Sequence, residues 1–533
     1  MEHSSILENK YYLYLTEFFS GMSVMAVELG ASRLLAPYFS SSQIVWTIII
    51  GTIMIAMALG NIWGGKSADR DPNPDKLYGR FVVAAIWIAL IPLVGKYIVL
   101  GISALLVLTV SNGFLVVAAF ISCMVLFVYP LFLLGTVTPS LVRYTVNSLE
   151  KSGTTVGTLG AFNTIGSILG TFLPTFVTIP AVGTAMTFMI FAAILLVLAI
   201  AYFASRGIKF AFCSFAIHVL WISAVLSSLS GFAFWDDDLI YEGESVYNYL
   251  QVKDSGDSVI LSTNVLFGVQ SIAMKDEGLT GMYYDYALAA PFMAGAGEKE
   301  TLDVLVLGMG TGTYARQCLN YFDNVSVEGV EIDRKITELA GEHFGLPESV
   351  PVATYDGRAY LQAVDKKYDV IMVDAYQDIT IPFQMSSVEF FMLVQAHLNE
   401  DGVMVVNMNM KSDGAESINA YLSDTIASVF GEVCTVDVKH ATNRELFAAN
   451  NPEVLARFAA NVERCEIPAL KELMQSVSGE LAAYEGGERI LTDDKAPVEV
   501  LGMKVIDEII RDELGYYKEV FKEQGIKGIL KAV

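Results

Sequence analysis

The stretch Val304-Leu305-Val306-Leu307-Gly308-Met309-Gly310-Thr311-Gly312 decides how this chain folds. Four consecutive aliphatic residues read as a strand buried on both faces. The three glycines after them permit a tight turn and close backbone approach to a ligand. Residues 313–319 then read as a helix whose N-terminus offers free N–H groups to that ligand. Moving outward, 325–330 is a second strand ending in Glu331, 19 residues beyond Gly312. Strand 351–354 leads to Asp356-Gly357, strand 370–373 to Asp374, and 403–408 gives a fifth strand. Segments 336–343, 358–364 and 388–398 read as helices between them. Such alternation predicts a parallel sheet with helices on both faces. Successive strand ends then deliver polar groups to one carboxyl edge, where open α/β folds bind ligands. Glu331 stands where a carboxylate accepts both hydroxyls of a ribose, and Asp356 where an adenine edge would lie.

Further downstream, 433–439 and 445–448 have the spacing of a terminal hairpin. Upstream, 246–252, 258–262 and 269–274 are short β-prone runs separated by Asp, Gly and Asn turns, predicting a small antiparallel sheet. Before Trp235-Asp236-Asp237-Asp238 the pattern changes. Apolar segments at 13–37, 43–64, 81–103, 114–136, 156–179, 183–205 and 210–231 each approach the ~20 residues a bilayer-spanning helix needs. Residues 1–231 carry 11 Lys+Arg and 8 Asp+Glu, whereas the remainder carries 23 and 50. The chain therefore divides, by expectation, into a helical membrane domain of about seven spans (1–231), a small β subdomain with linker (232–300) and an α/β domain (301–533). A net charge of −27 on the last two parts excludes a nucleic-acid partner, which requires a basic surface. Cys123, Cys213, Cys318, Cys434 and Cys465 lie too far apart for a zinc or disulfide pattern, and no metal site is expected.

The loop expected at 65–80 is basic, with Lys66, Arg70, Lys76 and Arg80, as are the turns near Arg143/Lys151 and Arg206/Lys209. Positive-inside bias places these loops in the cytoplasm. Seven spans from a cytoplasmic N-terminus would leave the acidic part outside. A second span within 81–111 around Lys96, or a re-entrant last segment, would return it to the cytoplasm, the compartment expected of a nucleoside-using domain. The stretch 64–70 looks like the loop after the second helix of major-facilitator transporters. Gly157, Gly160, Gly166 and Gly170 suit close helix contacts. Glu17 and Glu28 lie 11 residues apart on one helix face, and ionisable groups within spans are functional candidates.

An incomplete GxGxxG with an acid on strand two points to an S-adenosyl nucleoside in place of a dinucleotide, and hence to an S-adenosylmethionine-methyltransferase-like Rossmann fold. Residues 241–450 resemble the spermidine synthase (polyamine aminopropyltransferase) family, and the whole chain resembles its membrane-fused members. The resemblance rests on the leading sheet, Tyr247-Asn248, Gln270, Tyr283-Tyr284-Asp285, the glycine turn, Glu331, Asp356-Gly357 and Tyr368-Asp369-Val370-Ile371-Met372-Val373-Asp374. Leu491-Thr492-Asp493-Asp494-Lys495-Ala496-Pro497 also looks like the fused group.

The resemblance implies aminopropyl transfer from decarboxylated S-adenosylmethionine, a co-substrate and not a permanent cofactor, to putrescine or a related polyamine. It implies Asp374 as the base and Gly308, Gly310, Thr311, Glu331, Asp356 and Gly357 around the nucleoside. Asn248, Gln270, Tyr283 and Tyr284 would line the amine channel. The implied partners are a small polyamine and the lipid bilayer, with self-association left open. Thr311 replaces the family's acidic residue in the glycine turn, and the loop after Asp374 is one residue longer. Two other readings follow: an S-adenosylmethionine-dependent methyltransferase, or a polyamine transporter or sensor with a non-catalytic nucleoside domain.

Overall fold

A computed structural model gives the fold. It describes residues 6–505 except 40–41, 108–109, 111–112, 146–151, 208–210, 230, 266–268, 277, 377–380, 410, 413 and 415, together with Arg511, Gly515, Glu519 and Lys522. The apolar first half forms helices α1 (Lys10–Phe39), α2 (Gln43–Arg70), α3 (Pro74–Val107), α4 (Phe114–Leu126), α5 (Val128–Gly135), α6 (Val137–Thr145), α7 (Ser152–Leu173), α8 (Ile179–Ser205) and α9 (Ala211–Ser228). Two sequence expectations change here. The stretch 64–70 is no loop: it completes α2, whose Gly64 lies against the Thr136 backbone so that the helix continues at close contact. Residues 81–107 do not hide two spans, because α3 runs unbroken past Lys96 to Val107.

By length and hydropathy, four described helices are able to cross a membrane, or five if the bent pair 114–145 counts as one. One of the four, Gly153–Ser205, holds 53 residues. At ~1.5 Å per residue it is far longer than a ~30 Å hydrocarbon core. It turns at Gly183 (φ +80°), and its arms run in opposite directions along α1. On α7, a Cβ at Gly166 would fall 1.9 Å from the Phe18 carbonyl oxygen and one at Gly170 2.1 Å from that of Met22, a parallel contact. On α8, Gly30 of α1 faces the Phe188 ring while Tyr12 Oη donates to the Leu198 carbonyl at 2.7 Å, an antiparallel one. Gly157 and Gly160, expected at the same seam, have nothing within 4 Å of a built Cβ.

The second half begins with β1 (Leu239–Glu244), β2 (Tyr249–Asp254), β3 (Ser258–Ser262) and β4 (Ser271–Met274), an antiparallel sheet in sequential order. Its first strand was not evident in the sequence. Short helices α10 (Tyr283–Ala287) and α11 (Ala289–Met293) follow. Then come β5 (Leu302–Leu307), α12 (Thr313–Tyr321), β6 (Val325–Glu331), α13 (Arg334–His343), β7 (Val352–Thr354), α14 (Gly357–Ala363), β8 (Tyr368–Val373), α15 (Val388–Ala396), β9 (Leu398–Met408) and α16 (Ile418–Ala427). The chain closes with β10 (Glu432–Asp437), β11 (Arg444–Ala449), α17 (Val454–Arg464), α18 (Pro468–Glu480) and β12 (Ala482–Ala483).

The large sheet has the order β12-β10-β11-β9-β8-β5-β6-β7. Its β9-β8-β5-β6-β7 part is parallel, and β10 and β11 form the expected antiparallel hairpin. Alternation sends Val304, Val306, Met372, Val405 and Phe447 into one apolar layer, and Leu305, Leu307, Ile371, Val373 and Val406 into the other. Successive strands step one way from β5 to β7 and the other way from β8 to β9. The switch point falls between β5 and β8, where such sheets open a crevice at their carboxyl edge.

The two halves meet at the C-terminal end of α1. Val265 N–H donates to the Pro37 carbonyl at 2.9 Å, the Arg33 guanidinium reaches the Val246 carbonyl, and Lys96 Nζ donates to the Gly231 carbonyl at 2.9 Å. Thr184 N–H donates to Glu244 at 2.8 Å. At the opposite end of the bundle lie the ion pairs Lys76–Asp71 (2.6 Å) and Arg143–Asp69 (3.7 Å).

Candidate active site

The turn after β5 is built around Gly308, whose φ of +87° suits glycine. A Cβ there would sit 2.5 Å from the Asp374 carbonyl oxygen, so only glycine lets the segment leaving β8 pass this close. That contact brings the ends of β5 and β8 together at the switch point.

Asp374 is partly buried and both its oxygens are held. Tyr283 Oη donates to Oδ2 at 2.6 Å, and Asn407 Nδ2 donates to Oδ1 at 2.8 Å. Burial pushes the carboxyl up to about 7, against the pull of those two donors and with a further push from Glu331. A carboxylate so poised changes protonation near neutral pH, where a general base is most effective. Burial and the neighbouring Asp374 raise the Tyr283 phenol well above its ordinary value, so it remains a donor. Tyr284 packs on Tyr283 with ring centroids 3.9 Å apart, and its hydroxyl lies 3.2 Å from Ser271 Oγ.

Glu331 is 7% exposed. One oxygen accepts from Gly310 N–H (2.9 Å) and the other from Asp333 N–H (3.0 Å), which ties the acid to the glycine turn. Burial raises its carboxyl. Asp356 caps α14 by accepting from Ala359 N–H at 2.8 Å, with Gly357 opening that helix. Thr311 is fully buried, 2.5 Å from Ser271 Oγ and 3.3 Å from Thr313 Oγ1. Its hydroxyl is engaged within the protein and carries no charge.

The expected channel residues separate. Tyr283 and Tyr284 sit at Asp374. The Gln270 side-chain amide makes a long 3.5 Å contact to the Tyr376 carbonyl, on the segment leaving Asp374. Asn248 lies at the Glu331 end, because its amide reaches Asp333 at 3.3 Å and Asp333 N–H in turn donates to Glu331. Asp378 falls outside the described residues. Sequence reasoning missed Asn407, although an amide ending the apolar run Val403-Met404-Val405-Val406 was a usable signal. It also missed Asn443, whose Nδ2 donates to Asn407 Oδ1 at 2.8 Å and so fixes the amide that serves Asp374. Among the described residues no group of three or more His, Cys, Asp or Glu is placed to hold a metal.

The sequence profile of the spermine/spermidine synthase domain matches residues 290–441. A probable polyamine aminopropyl transferase of Bifidobacterium longum is 55% identical over 349 residues, covering 62% of this chain and 77% of its own. A polyamine aminopropyltransferase of Vibrio vulnificus is 25% identical over 300 residues, 53% of this chain and 98% of its own. Among solved structures, a probable spermidine synthase from Corynebacterium glutamicum is similar at a TM-score of 0.36 and 19% identity, over 47% of this chain and 98% of that one.

Proposed function

The chain belongs to the polyamine aminopropyltransferase family of enzymes, and from that premise we propose that it moves the aminopropyl group of decarboxylated S-adenosylmethionine to putrescine or a related polyamine. The observation that carries this reading is Asp374, a carboxylate raised to about 7 at the switch point with a donor fixed on each oxygen. An alkylamine is protonated at neutral pH and cannot attack. Asp374 takes its proton as the nitrogen lone pair forms a bond to the methylene beside the sulfonium. The carbon–sulfur bond breaks, its electron pair returns to sulfur, and methylthioadenosine leaves. Glu331 receives the ribose, Gly308 and Gly310 let the donor approach the backbone, and Asp356 addresses the adenine. The test is amine-dependent release of methylthioadenosine by the full chain, lost in Asp374→Asn.

One feature favours a second reading. Thr311 puts no charge in the glycine turn to meet the ammonium of a decarboxylated donor, so S-adenosylmethionine itself would be accepted there. Release of S-adenosylhomocysteine in place of methylthioadenosine identifies that methyltransferase outcome.

The helical half serves as a multi-pass membrane anchor for the enzyme. Its helices pass alternately between two ends, and the α/β half is seated at the end opposite Lys66, Arg70, Lys76, Arg143 and Arg206. With those basic residues in the cytoplasm, the active site opens on the other side of the bilayer. This favours the orientation that nucleoside supply argued against. Labelling of a cysteine introduced at exposed Asp276 by an impermeant reagent in intact cells supports this orientation; protection until lysis overturns it.

A further inference from the structure

Glu445 sits on β11 with its side chain on the layer shared by Phe447 and Ala449, between Val436 of β10 and Asn407 of β9. It is fully buried, and neither carboxylate oxygen has a hydrogen-bond partner. The adjacent Arg444 faces the other way and pairs with Asp437 at 2.6 Å. The two phenols within its electrostatic reach are committed elsewhere: Tyr314 donates to the Ala287 carbonyl at 3.3 Å, and Tyr376 to the Asn407 carbonyl. Burying such an acid without a partner is costly, and buried polar groups are nearly always satisfied. A ligand that supplies the missing cation resolves the cost.

Strand register shows where that ligand lies. Glu445 pairs with Asn407 across β11 and β9, and Asn407 binds Asp374 at the end of β8. Asp374, Asn407 and Glu445 thus form one line across three neighbouring strands. Strands are spaced about 4.8 Å apart, so two spacings separate the ends of the line by roughly 10 Å. The nucleoside-facing groups, Gly308, Gly310 and Glu331, lie on β5 and β6 in the opposite direction. A molecule reacting at Asp374 and extending away from the nucleoside runs along this line.

We propose that Glu445 is the acceptor-specificity residue of this enzyme, holding the ammonium at the far end of a di- or polyamine whose near nitrogen reacts at Asp374. The proposal rests on the aminopropyltransferase reading and adds to it which residue holds the acceptor's second amine. Burial, with a smaller contribution from Asp374, raises the Glu445 carboxyl, and a bound ammonium is what draws it into the charged form.

The test is steady-state kinetics of the full chain in detergent, comparing Glu445→Gln with wild type on a diamine and on a monoamine of equal chain length. Removing a charge-assisted contact is expected to raise the diamine KM roughly ten- to hundredfold. The kcat at saturating diamine, the donor KM and monoamine turnover stay close to wild type, and Glu445→Asp recovers part of the loss. A melting temperature that does not fall in Glu445→Gln separates a binding role from a structural one. An unchanged diamine KM overturns the proposal, as does a rise confined to the donor KM, which assigns the carboxylate to the donor's aminopropyl ammonium. Equal loss on diamine and monoamine also overturns it. A wild-type chain that transfers nothing to any amine removes the aminopropyltransferase reading itself, a result distinct from these.

Discussion

Both halves of this chain bury carboxylates, and they treat them differently. In the helical half, Glu17 is fully buried; one oxygen accepts from Thr138 at 2.5 Å and Asn163 at 2.9 Å while the other has no partner. In the α/β half, Asp374 has a donor on each oxygen from two separate elements, α10 and β9. The first arrangement joins three helices at one polar point within a bundle otherwise packed through apolar side chains, with glycines at its closest seams. The second holds a proton acceptor in fixed orientation beside a glycine turn. The contrast teaches that a buried acid gains a chemical role from the site that orients it, and burial alone does not confer one.

The largest expected effect tests that contrast directly. Asp374→Asn keeps the shape and removes the base, so turnover should fall by about 10²–10⁴-fold, the usual scale of general-base catalysis. Thermal unfolding should change little, because the amide fills the same space. Glu17→Gln in parallel should leave turnover within about threefold, since only a helix-packing contact is altered. If the two variants lose activity equally, the distinction between the halves is wrong.

The second prediction concerns how Asp374 is tuned. Asn407→Leu removes a donor that favours the charged carboxylate, so the group should protonate at still higher pH. On the proposed mechanism, activity requires the charged form. The wild-type acid limb of kcat/KM should therefore fall as pH drops through about 7, and the variant limb should move upward. Stability has the opposite sign. The native state holds this proton more tightly than the unfolded chain, whose carboxyl has its ordinary value of 3.8. The group therefore costs stability increasingly as pH rises from about 4 to about 7. An acid limb that stays in place after the substitution would show that Asn407 does not serve Asp374.

These residues also show how much the sequence disclosed. The order of strands, the glycine turn and the acids at strand ends were legible because a parallel sheet imposes local hydrophobic runs and places polar residues just beyond them. Asp374, Glu331 and Asp356 could therefore be named from position. Asn407, Asn443 and Glu445 were harder, since they come from β9, the turn before β11 and β11. Asn407 meets Asp374 through the parallel register of β8 and β9, and Asn443 and Glu445 join them through the antiparallel register of β9 and β11; neither register has a local signature. The helical half was legible in outline from its apolar runs, but not in its seams. Gly166 and Gly170 touch α1 while Gly157 and Gly160 on the same helix do not, and spacing alone cannot separate them.

A third prediction sharpens the comparison from the helical side. A leucine at Gly170 would drive its Cβ to 2.1 Å from the Met22 carbonyl oxygen, and backbone cannot move aside as a side chain does. Overpacking of this kind costs typically 1–3 kcal/mol. A lower melting temperature of the detergent-solubilised chain should accompany it, whereas Gly157→Leu should be nearly silent. Affinity for the proposed nucleoside should survive both, because the turn glycines lie against Asp374, Ser271 and Leu346, all in the α/β half.

The smallest effect lies at the C-terminal segment that resembles the membrane-fused group. Arg358, next to the α14 cap, makes a two-pronged pair with Asp493 at 2.6 and 2.7 Å, and Asp493 also accepts from Ser387 at 2.6 Å. The pair thus fastens the segment around Leu491 across the starts of α14 and α15. Arg358 beside it holds the Asp493 carboxyl below its ordinary value. The contribution is therefore fully present above the unfolded value near 3.8 and fades as pH falls through the lower folded one. Asp493 is 39% exposed on its side chain, so solvent screens the pair and about 0.2–1 kcal/mol is the reasonable scale. Arg358→Ala should lower the melting temperature slightly at pH 7, with the difference shrinking toward pH 3. Donor KM should rise by no more than about threefold, because Asp356 is fixed independently by Ala359 N–H. A larger rise would mean that the C-terminal segment, and not the helix cap, sets the position of Asp356. The nucleoside end of the site would then depend on a contact made 135 residues along the chain from the helix it steadies.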